Sequence, residues 1–383
     1  MRILRVAQKL HPDVKGGGPY HVHAMSRDQA AMGHDVTVLT VRHDSSLPHF
    51  EEKDGYTVVR YDPTVTLLGN DVSVGVAQFL WDIDAFDVVH AHSHLYFSTN
   101  LAALTQGVER IPLAITNHGL YSQTAPEWLF DLYLRTIGLW TFNQADVVFC
   151  YTPEESNKLR RQGISSRIAV VPNGIDTTRF HPEGPTSELI SSDQPTVLFV
   201  GRLVEGKRPN FAVRAIEHAS ERWPDTTLYL CGEGPMRSEL ESLATKIGVD
   251  DHVRFLGQVP YDEMPNIYRS ADLLVQPSRT EGVPRTVLEA IACGTSVVAN
   301  DLEQIRSIVK GNGRTVRREG WEPFATAVER ELEQCAARPR DPAVDAQITD
   351  WSRTVEETTD VLESIWRGRV AQPGETDCQR IPR

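Results

Sequence analysis

Two glutamates, Glu281 and Glu289, stand eight residues apart in the stretch SRTEGVPRTVLEAIACGTSVVA, Ser278–Ala299. The apolar run Asp272–Pro277 before them reads as a strand, and TSVVA after them reads as another. Between the two lie a short polar loop and a helix. Pro284 falls near the first turn of that helix, where a missing N–H costs nothing. A strand–loop–helix of this kind aims free backbone N–H groups at whatever sits above the sheet, which favours phosphate. Glu281 is in the loop, followed by Gly282 and Val283, and Glu289 is on the helix, so both carboxylates can face one ligand.

A second group of candidates lies in GRLVEGKRP, Gly201–Pro209, after another apolar run. Arg202 and Lys207 would stand at the carboxyl end of that strand, where open α/β sheets bind their ligands. Two cations there suit a diphosphate, and a solvated surface pair is the plainer alternative. Acids beside an anion site call for a ligand with hydroxyls as well as phosphate, and a nucleotide sugar is such a ligand. Near the start, HPDVKGGGPYHVHAM places Gly16, Gly17 and Gly18 between a strand and a helix, where bare backbone can approach a ligand. The run is not GxGxxG, so the dinucleotide fingerprint is not met. His118, in a TNHG loop at a strand end, is open to three readings: ligand contact, proton donor or polar backbone contact. His90, His92 and His94 form an HxHxH run that could share one strand face and hold a metal. No carboxylate partner stands at matching spacing, so His92 lining the site, with the other two packed, is the preferred reading.

These residues need a scaffold, and the chain supplies a repeating one. Short apolar runs alternate with helical stretches, the mark of a parallel sheet covered on both faces. The strand runs are Ile3–Ala7, HDVTVLT, GYTVVRY, Ala85–Ser93, Ile111–Gly119, ADVVFCYT and RIAVVPNGID. His181–Pro195, polar and proline-containing, breaks the pattern and reads as a linker. Alternation then restarts with TVLFVGRL, TTLYLCGEGP, HVRFLGQVP and the Glu281–Glu289 unit. The expected division is residues 1–180, then 195–350, then a helix near 351–368 and a polar, disordered tail over 369–383. Pro126–Phe142 is an aromatic-rich helix, read as covering the sheet in preference to lying on a membrane.

Composition narrows the class. The 383 residues suffice for two domains, and 40% are hydrophobic. A net charge of −13, from 39 basic and 52 acidic residues, speaks against a nucleic-acid binder. Five scattered cysteines without a CxxC pair argue against a disulfide framework or zinc knuckle. With neither a signal peptide nor a transmembrane run recognised, the expected location is cytoplasmic, with contact at the inner face of the membrane left open.

Five segments stand in a familiar order: GGGPYHVHAM, the TNHG loop, PNGID, GRLVEGKRP with GEGP, and EGVPRTVLEAIACG. Together they resemble the family-four retaining glycosyltransferases of GT-B architecture, over about residues 1–368. The resemblance implies two Rossmann-like, doubly wound parallel-sheet domains facing across a cleft, the first binding the acceptor and the second the nucleotide sugar. It implies that the last helix crosses back to the first domain. By motif, Arg202 and Lys207 would hold the donor diphosphate, Glu289 the ribose and Glu281 the sugar hydroxyls. The N–H groups of Gly282 and Val283 would meet the distal phosphate, and the base would lie beside Phe255 and Gly257. Gly17 would close over the donor, and His118 would contact the donor sugar and assist catalysis. His11, Asp13, Gly16 and His92 become candidates for the acceptor side, which Asp62–Gly75 would also shape. The chemistry implied is transfer of a hexose to a hydroxyl on a glycan, a lipid-linked carrier or a small metabolite. No cofactor or metal is expected, since no DxD motif sits at a strand end.

One departure stands out. Members commonly carry a Gly-Gly turn after the TSVVA-type strand, whereas here NDLEQIRSIV brings Asp301 and Glu303, and Thr295 stands where proline is common. The rival readings are a nucleotide-sugar epimerase of the same architecture, a metal-dependent hydrolase built on the HxHxH run, an NAD-dependent oxidoreductase and a non-catalytic sugar-nucleotide binder. Donor base, sugar, acceptor and oligomeric state are not legible in the residues.

Overall fold

The computed structural model describes residues 1–67, 69–83, 85–109, 111–120, 127–191, 194–317, 319–337 and 348–370. The chain divides into two compact units, Met1–Pro172 with Thr354–Arg383, and Asn173–Arg353. The tail expected to be disordered lies, from residue 371 on, outside the described residues.

The first unit carries β1 (Arg2–Val6), β2 (Asp35–Val41), β3 (Phe50–Lys53), β4 (Tyr56–Tyr61), β5 (Val65–Leu67), β6 (Asn70–Val72), β7 (Val88–His92), β8 (Leu113–Thr116), β9 (Val147–Cys150) and β10 (Arg167–Val170). Eight of these form one sheet in the order β10-β9-β8-β7-β1-β2-β4-β3, and β5 and β6 form a separate hairpin. Pairing is parallel throughout the eight except at the edge, where β3 runs antiparallel to β4. Strands such as β7 and β9 are buried along their whole length because helices cover both faces. Local signals set the helices. In Pro153–Arg161, Thr152 accepts the Glu155 N–H at 3.1 Å, proline opens the first turn, and basic residues close the last. The chain winds outward in two directions from the β1/β7 pair, which makes the carboxyl ends of those strands the switch point of this sheet.

The second unit holds β11 (Thr196–Val200), β12 (Thr227–Cys231), β13 (Val253–Gly257), β14 (Leu273–Gln276), β15 (Ser296–Asn300) and β16 (Gly313–Val316), ordered β13-β12-β11-β14-β15-β16 and all parallel. Here the switch point falls between β11 and β14. Just beyond it the loops after β11 and β12 run backbone against backbone. A Cβ on Gly232, at φ 146°, would come within 2.0 Å of the Gly201 carbonyl oxygen.

One expectation is corrected and two readings are refined. The polar stretch His181–Pro195 is part of the second unit, whose boundary falls at Pro172/Asn173. The buried guanidinium of Arg269 donates to the Pro185 and His181 carbonyls at 2.8 and 3.2 Å, and Ile190 is buried. The segment is polar because its backbone needs partners, not because it is free. Second, the three histidines of HxHxH do not share a face. Ser93, at φ 66°, breaks the alternation and sends His94 onto Phe142, with ring centroids 4.6 Å apart. Among the described residues no cluster of three or more side chains could hold a metal ion. Third, the aromatic helix, built as Glu127–Tyr133, a π turn over Leu134–Gly138 and Leu139–Asn143, is apolar on two faces. Phe130, Leu134 and Phe142 join the core, while Trp128 and Trp140 are 69% and 40% exposed beside exposed Leu132 and Ile137. No described helix is long and apolar enough to cross a membrane.

The final helix, Trp351–Val370, begins in the second unit, and from Thr354 on it belongs to the first. There Thr359 Oγ1 accepts from Gln29 Nε2 at 2.8 Å, and Arg369 pairs with Asp146 at 2.8 Å.

Gly33 and Gly232 separate backbone strain from collision, since Gly33 (φ 89°) has nothing within 4 Å of its missing Cβ. Gly33→Ala should lower urea-unfolding stability by about 1 kcal/mol. Gly232→Ala should cost about 3 kcal/mol or more, and equal losses would show that the close approach is absent.

Candidate active site

Of the cations and acids singled out in the second unit, Lys207 and Glu281 meet at its switch point. Lys207 follows β11, Glu281 follows β14, and the two form a direct ion pair with side chains 16% and 5% exposed. Lys207 Nζ and Gln276 Nε2 both donate to Glu281 Oε1, the second at 2.7 Å. Arg202 lies on the same post-β11 loop and is exposed. No acceptor among the described residues takes the N–H of Gly282 or Val283, which immediately precede the helix Arg285–Ala292. A cation and a carboxylate thus adjoin at one strand edge, followed in the loop by two amides for which the described residues show no acceptor.

Glu289 is the hub of a second network. It is 3% exposed, and its two oxygens accept from Tyr261 at 2.8 Å and Tyr268 at 3.0 Å. Arg285 donates to the Tyr261 hydroxyl at 3.2 Å. Arg285 Nε also lies 3.5 Å from Glu289 Oε1, so two phenols and a guanidinium surround this carboxylate. Phe255 on β13 lies under the Arg237 guanidinium, 5.3 Å from its ring centre, and the Gly257 carbonyl accepts from Gly232 N–H at 2.7 Å.

Asp301 does not present a bare charge at the turn that replaces Gly-Gly. Arg306 at 2.6 Å and Arg317 at 3.1 Å hold its carboxylate, and the Arg306 bond first of all keeps it below the usual carboxylate range. Glu303 is exposed. The same segment contributes Asn300 and Gln304, whose amides bind the Pro277, Ser278 and Glu281 carbonyls.

The first unit gathers its histidines at the carboxyl ends of β7 and β8. His118 has both ring nitrogens engaged, Nε2 with His92 at 3.1 Å and Nδ1 with the Tyr151 hydroxyl at 2.8 Å. Burial pushes its pKa down to about 4, so the ring is neutral at pH 7. His92 is 2% exposed and stacks on His118, while His90 bonds Thr116 at 2.7 Å. Below His118, Asn117 donates to Glu155 at 2.9 Å. Burial raises the Glu155 pKa to about 7. Asp13 is paired with buried Arg60 at 2.8 Å, which anchors the loop after β1. His11 lies on Tyr20 and His23, with ring centres 5.4 and 5.5 Å away. Gly16, at φ 144°, and Gly17 are exposed at the start of the helix Gly17–Ala31.

Sequence reasoning passed over Gln276, Tyr261, Tyr268, Tyr151 and Glu155. Gln276 carried a signal, a lone polar residue ending an apolar strand. Glu155 carried one as well, the Thr152-x-x-Glu155 spacing of a helix capping box, whereas the tyrosines carried none, since their side-chain partners are remote in sequence.

Comparisons with known proteins give the family. Residues 182–340 match the family described as "Glycosyl transferases group 1", and residues 15–179 match "Glycosyltransferase Family 4". The chain is 30% identical over 281 residues to a GDP-mannose-dependent alpha-(1-6)-phosphatidylinositol monomannoside mannosyltransferase of Mycolicibacterium smegmatis, covering 70% of this chain and 72% of that one. It is 31% identical over 328 residues to a D-inositol 3-phosphate glycosyltransferase of Salinispora tropica, covering 77% and 67%. Among solved structures, a sucrose-phosphate synthase from Thermosynechococcus elongatus superposes with a TM-score of 0.79 at 20% identity, covering 96% of this chain and all of that one. The fold is GT-B, and the chain belongs to the GT-B glycosyltransferases. It is thus an enzyme that takes a sugar from a nucleotide-sugar donor to an acceptor.

The buried histidines predict a pH dependence. His94 is pushed down to about 3 from an ordinary 6.5, first by burial and then by His118. Its neutral form favours the folded state, so its contribution is full above pH 6.5 and is lost as pH falls toward 3. Glu155 works in the opposite sense, its contribution being lost as pH rises through about 7. Proton uptake on unfolding near pH 5 should therefore fall by about one in His94→Phe and be unchanged if the ring titrates normally in the folded state.

Proposed function

We propose that this chain is a family-four retaining glycosyltransferase that moves a hexose from a nucleoside-diphosphate sugar to a hydroxyl acceptor without a metal ion. The observation that carries the reading is the Lys207–Glu281 pair at the β11/β14 switch point, beside the open amides of Gly282 and Val283. In the absence of ligand, Glu281 satisfies the lysine. A diphosphate supplies the charge that draws Lys207 and Arg202 toward it, and Glu281 is left to accept hydrogen bonds from the hydroxyls of the donor sugar. Glu289 binds the ribose diol, and the base rests by Phe255 and Gly257.

In the reaction the bond from the anomeric carbon to the diphosphate oxygen breaks and a bond to the acceptor oxygen forms on the same face. The acceptor's proton passes to the departing diphosphate. The developing negative charge is met by Arg202, Lys207 and backbone N–H groups, the usual source of large rate effects in such sites. The first unit serves the acceptor, with His11, Asp13 and Gly16 on the loop after β1 and His92 at the end of β7 as its candidates, while Gly17 closes over the donor; Asp13 also anchors that loop through Arg60. His118, neutral, acts at the donor sugar as a hydrogen-bonding group and not as an acid, exchanging its bond to His92 or to Tyr151 for one to the sugar.

Arg202→Ala or Lys207→Ala should each lower kcat on the order of 10²–10³. Near-native turnover in both would remove the cation assignment. A thermal-shift panel of UDP, GDP, ADP and dTDP, each with EDTA or magnesium, identifies the donor base. A nucleoside diphosphate at 100 times its Kd should add about 2.7 kcal/mol, and a shift that needs magnesium would defeat the metal-independent reading.

A lipid-linked acceptor is the reading favoured by exposed Trp128, Leu132, Ile137 and Trp140 on one helical segment. The relative that acts on a phosphatidylinositol monomannoside points the same way. The enzyme should co-sediment with phosphatidylinositol-containing vesicles, and Trp128→Ser with Trp140→Ser should abolish this. Binding that survives the double substitution would remove the patch from consideration.

A further inference from the structure

We propose that Gln276 is a positioning residue for sugar transfer: its amide holds Glu281 by one oxygen, Oε1, and leaves Oε2 for the donor sugar. The proposal rests on the reading of Glu281 given above.

Gln276 ends β14, whose other residues, Leu273, Leu274 and Val275, are wholly buried in the core. A polar side chain there, itself 2% exposed, must find partners or destabilise the strand. Its Nε2 donates to Glu281 Oε1 at 2.7 Å and to Ser278 Oγ at 2.9 Å. Lys207 donates to the same Oε1, and no described residue donates to Oε2. The main chain of the loop is held as well. Asn300 Nδ2 donates to the Pro277 and Ser278 carbonyls at 2.6 and 3.1 Å, and Gln304 Nε2 donates to the Glu281 carbonyl.

The division of labour follows from charge. Lys207 is a cation that a diphosphate competes for, so its hold on Glu281 weakens when the donor arrives. The Gln276 amide is neutral and has no such competitor. It therefore keeps the carboxylate oriented while Lys207 turns to the phosphates, and a misplacement of about 1 Å at such a group can cost 10²-fold in rate. The Gln276 Oε1 has no partner among the described residues, so the side chain is not placed there for strand stability.

The test compares Gln276→Met, Gln276→Glu and Glu281→Gln in the full chain, with the nucleotide sugar whose nucleoside diphosphate stabilises it most. Acceptor-independent release of that diphosphate is the assay. Gln276→Met should lower kcat/KM on the order of tenfold to a hundredfold, the cost typical of losing a residue that orients a functional group. Its affinity for the nucleoside diphosphate should stay within about twofold, because Gln276 touches no phosphate ligand. Gln276→Glu is isosteric and sets a second carboxyl against Glu281, so the pair shares a proton and the acid limb of the kcat/KM profile should move up by about one pH unit or more. A structural role alone would leave that limb in place. If Glu281→Gln is fully active, the reading of Glu281 itself fails. If Glu281→Gln is impaired while Gln276→Met matches the wild type or Gln276→Glu keeps the wild-type limb, the positioning role is overturned. Should Gln276→Met not fold, the pH profile of Gln276→Glu decides.

Discussion

A parallel strand covered on both faces has no room for working side chains along its length. In both units the central strands carry mostly buried apolar residues, and the candidate site residues stand at or beyond the carboxyl edge. There the reversal of winding opens a gap that no crossover helix fills. Between β11 and β14 this gap brings Lys207 and Glu281 together, and beside β1 and β7 it receives the loop after β1 and the histidines after β7 and β8. The location of chemistry in this protein is thus a consequence of how parallel sheets are connected.

The second unit uses that edge with little slack. The glycines of the GEGP loop let it run against the loop that carries Arg202, and amide side chains pin the Glu281 loop from the other side. Neutral amide donors hold the main chain of this loop, while Lys207 and the Gln276 amide share the Glu281 carboxylate. The departure at Asp301 fits the same arrangement. Its carboxylate is consumed by two arginines, and its neighbours Asn300 and Gln304 supply the clasp. What looks in one dimension like an acidic intrusion beside an anion site is neutralised in three.

The first unit solves a different problem, that of keeping many imidazoles dry. His90, His92, His94 and His118 are all driven below their ordinary pKa, and burial is the leading cause in each case. They remain neutral donors and acceptors across the physiological range. His118 is oriented by His92 on one side and Tyr151 on the other, which makes it a fixed group and not a titrating one.

Much of this was legible in the residues alone. Apolar runs alternating with helical stretches announced two parallel sheets, and the Glu281–Glu289 spacing with Pro284 announced the strand–loop–helix that carries the anion-facing amides. Those features depend on near neighbours, and periodicity and turn chemistry are written locally. Strand order is not, and it sets which loops meet. The short edge strand β3, the β5/β6 hairpin and β16 lacked distinct apolar runs and were not foreseen. The same limit hid the boundary at Asn173, because a polar segment looks alike whether it is solvated or bound to a buried arginine. It also hid the end of the HxHxH row, where the left-handed turn at Ser93 removes His94 from the alternation. Lys207 and Glu281 are 74 residues apart, and Tyr151 and His118 are 33 apart. The residue types and local loops were determined by the sequence read in one dimension. Which oxygen of Glu281 stays open, and which nitrogens of His118 are taken, only the tertiary packing decided, because each depends on groups brought together by sheet order and not by spacing along the chain.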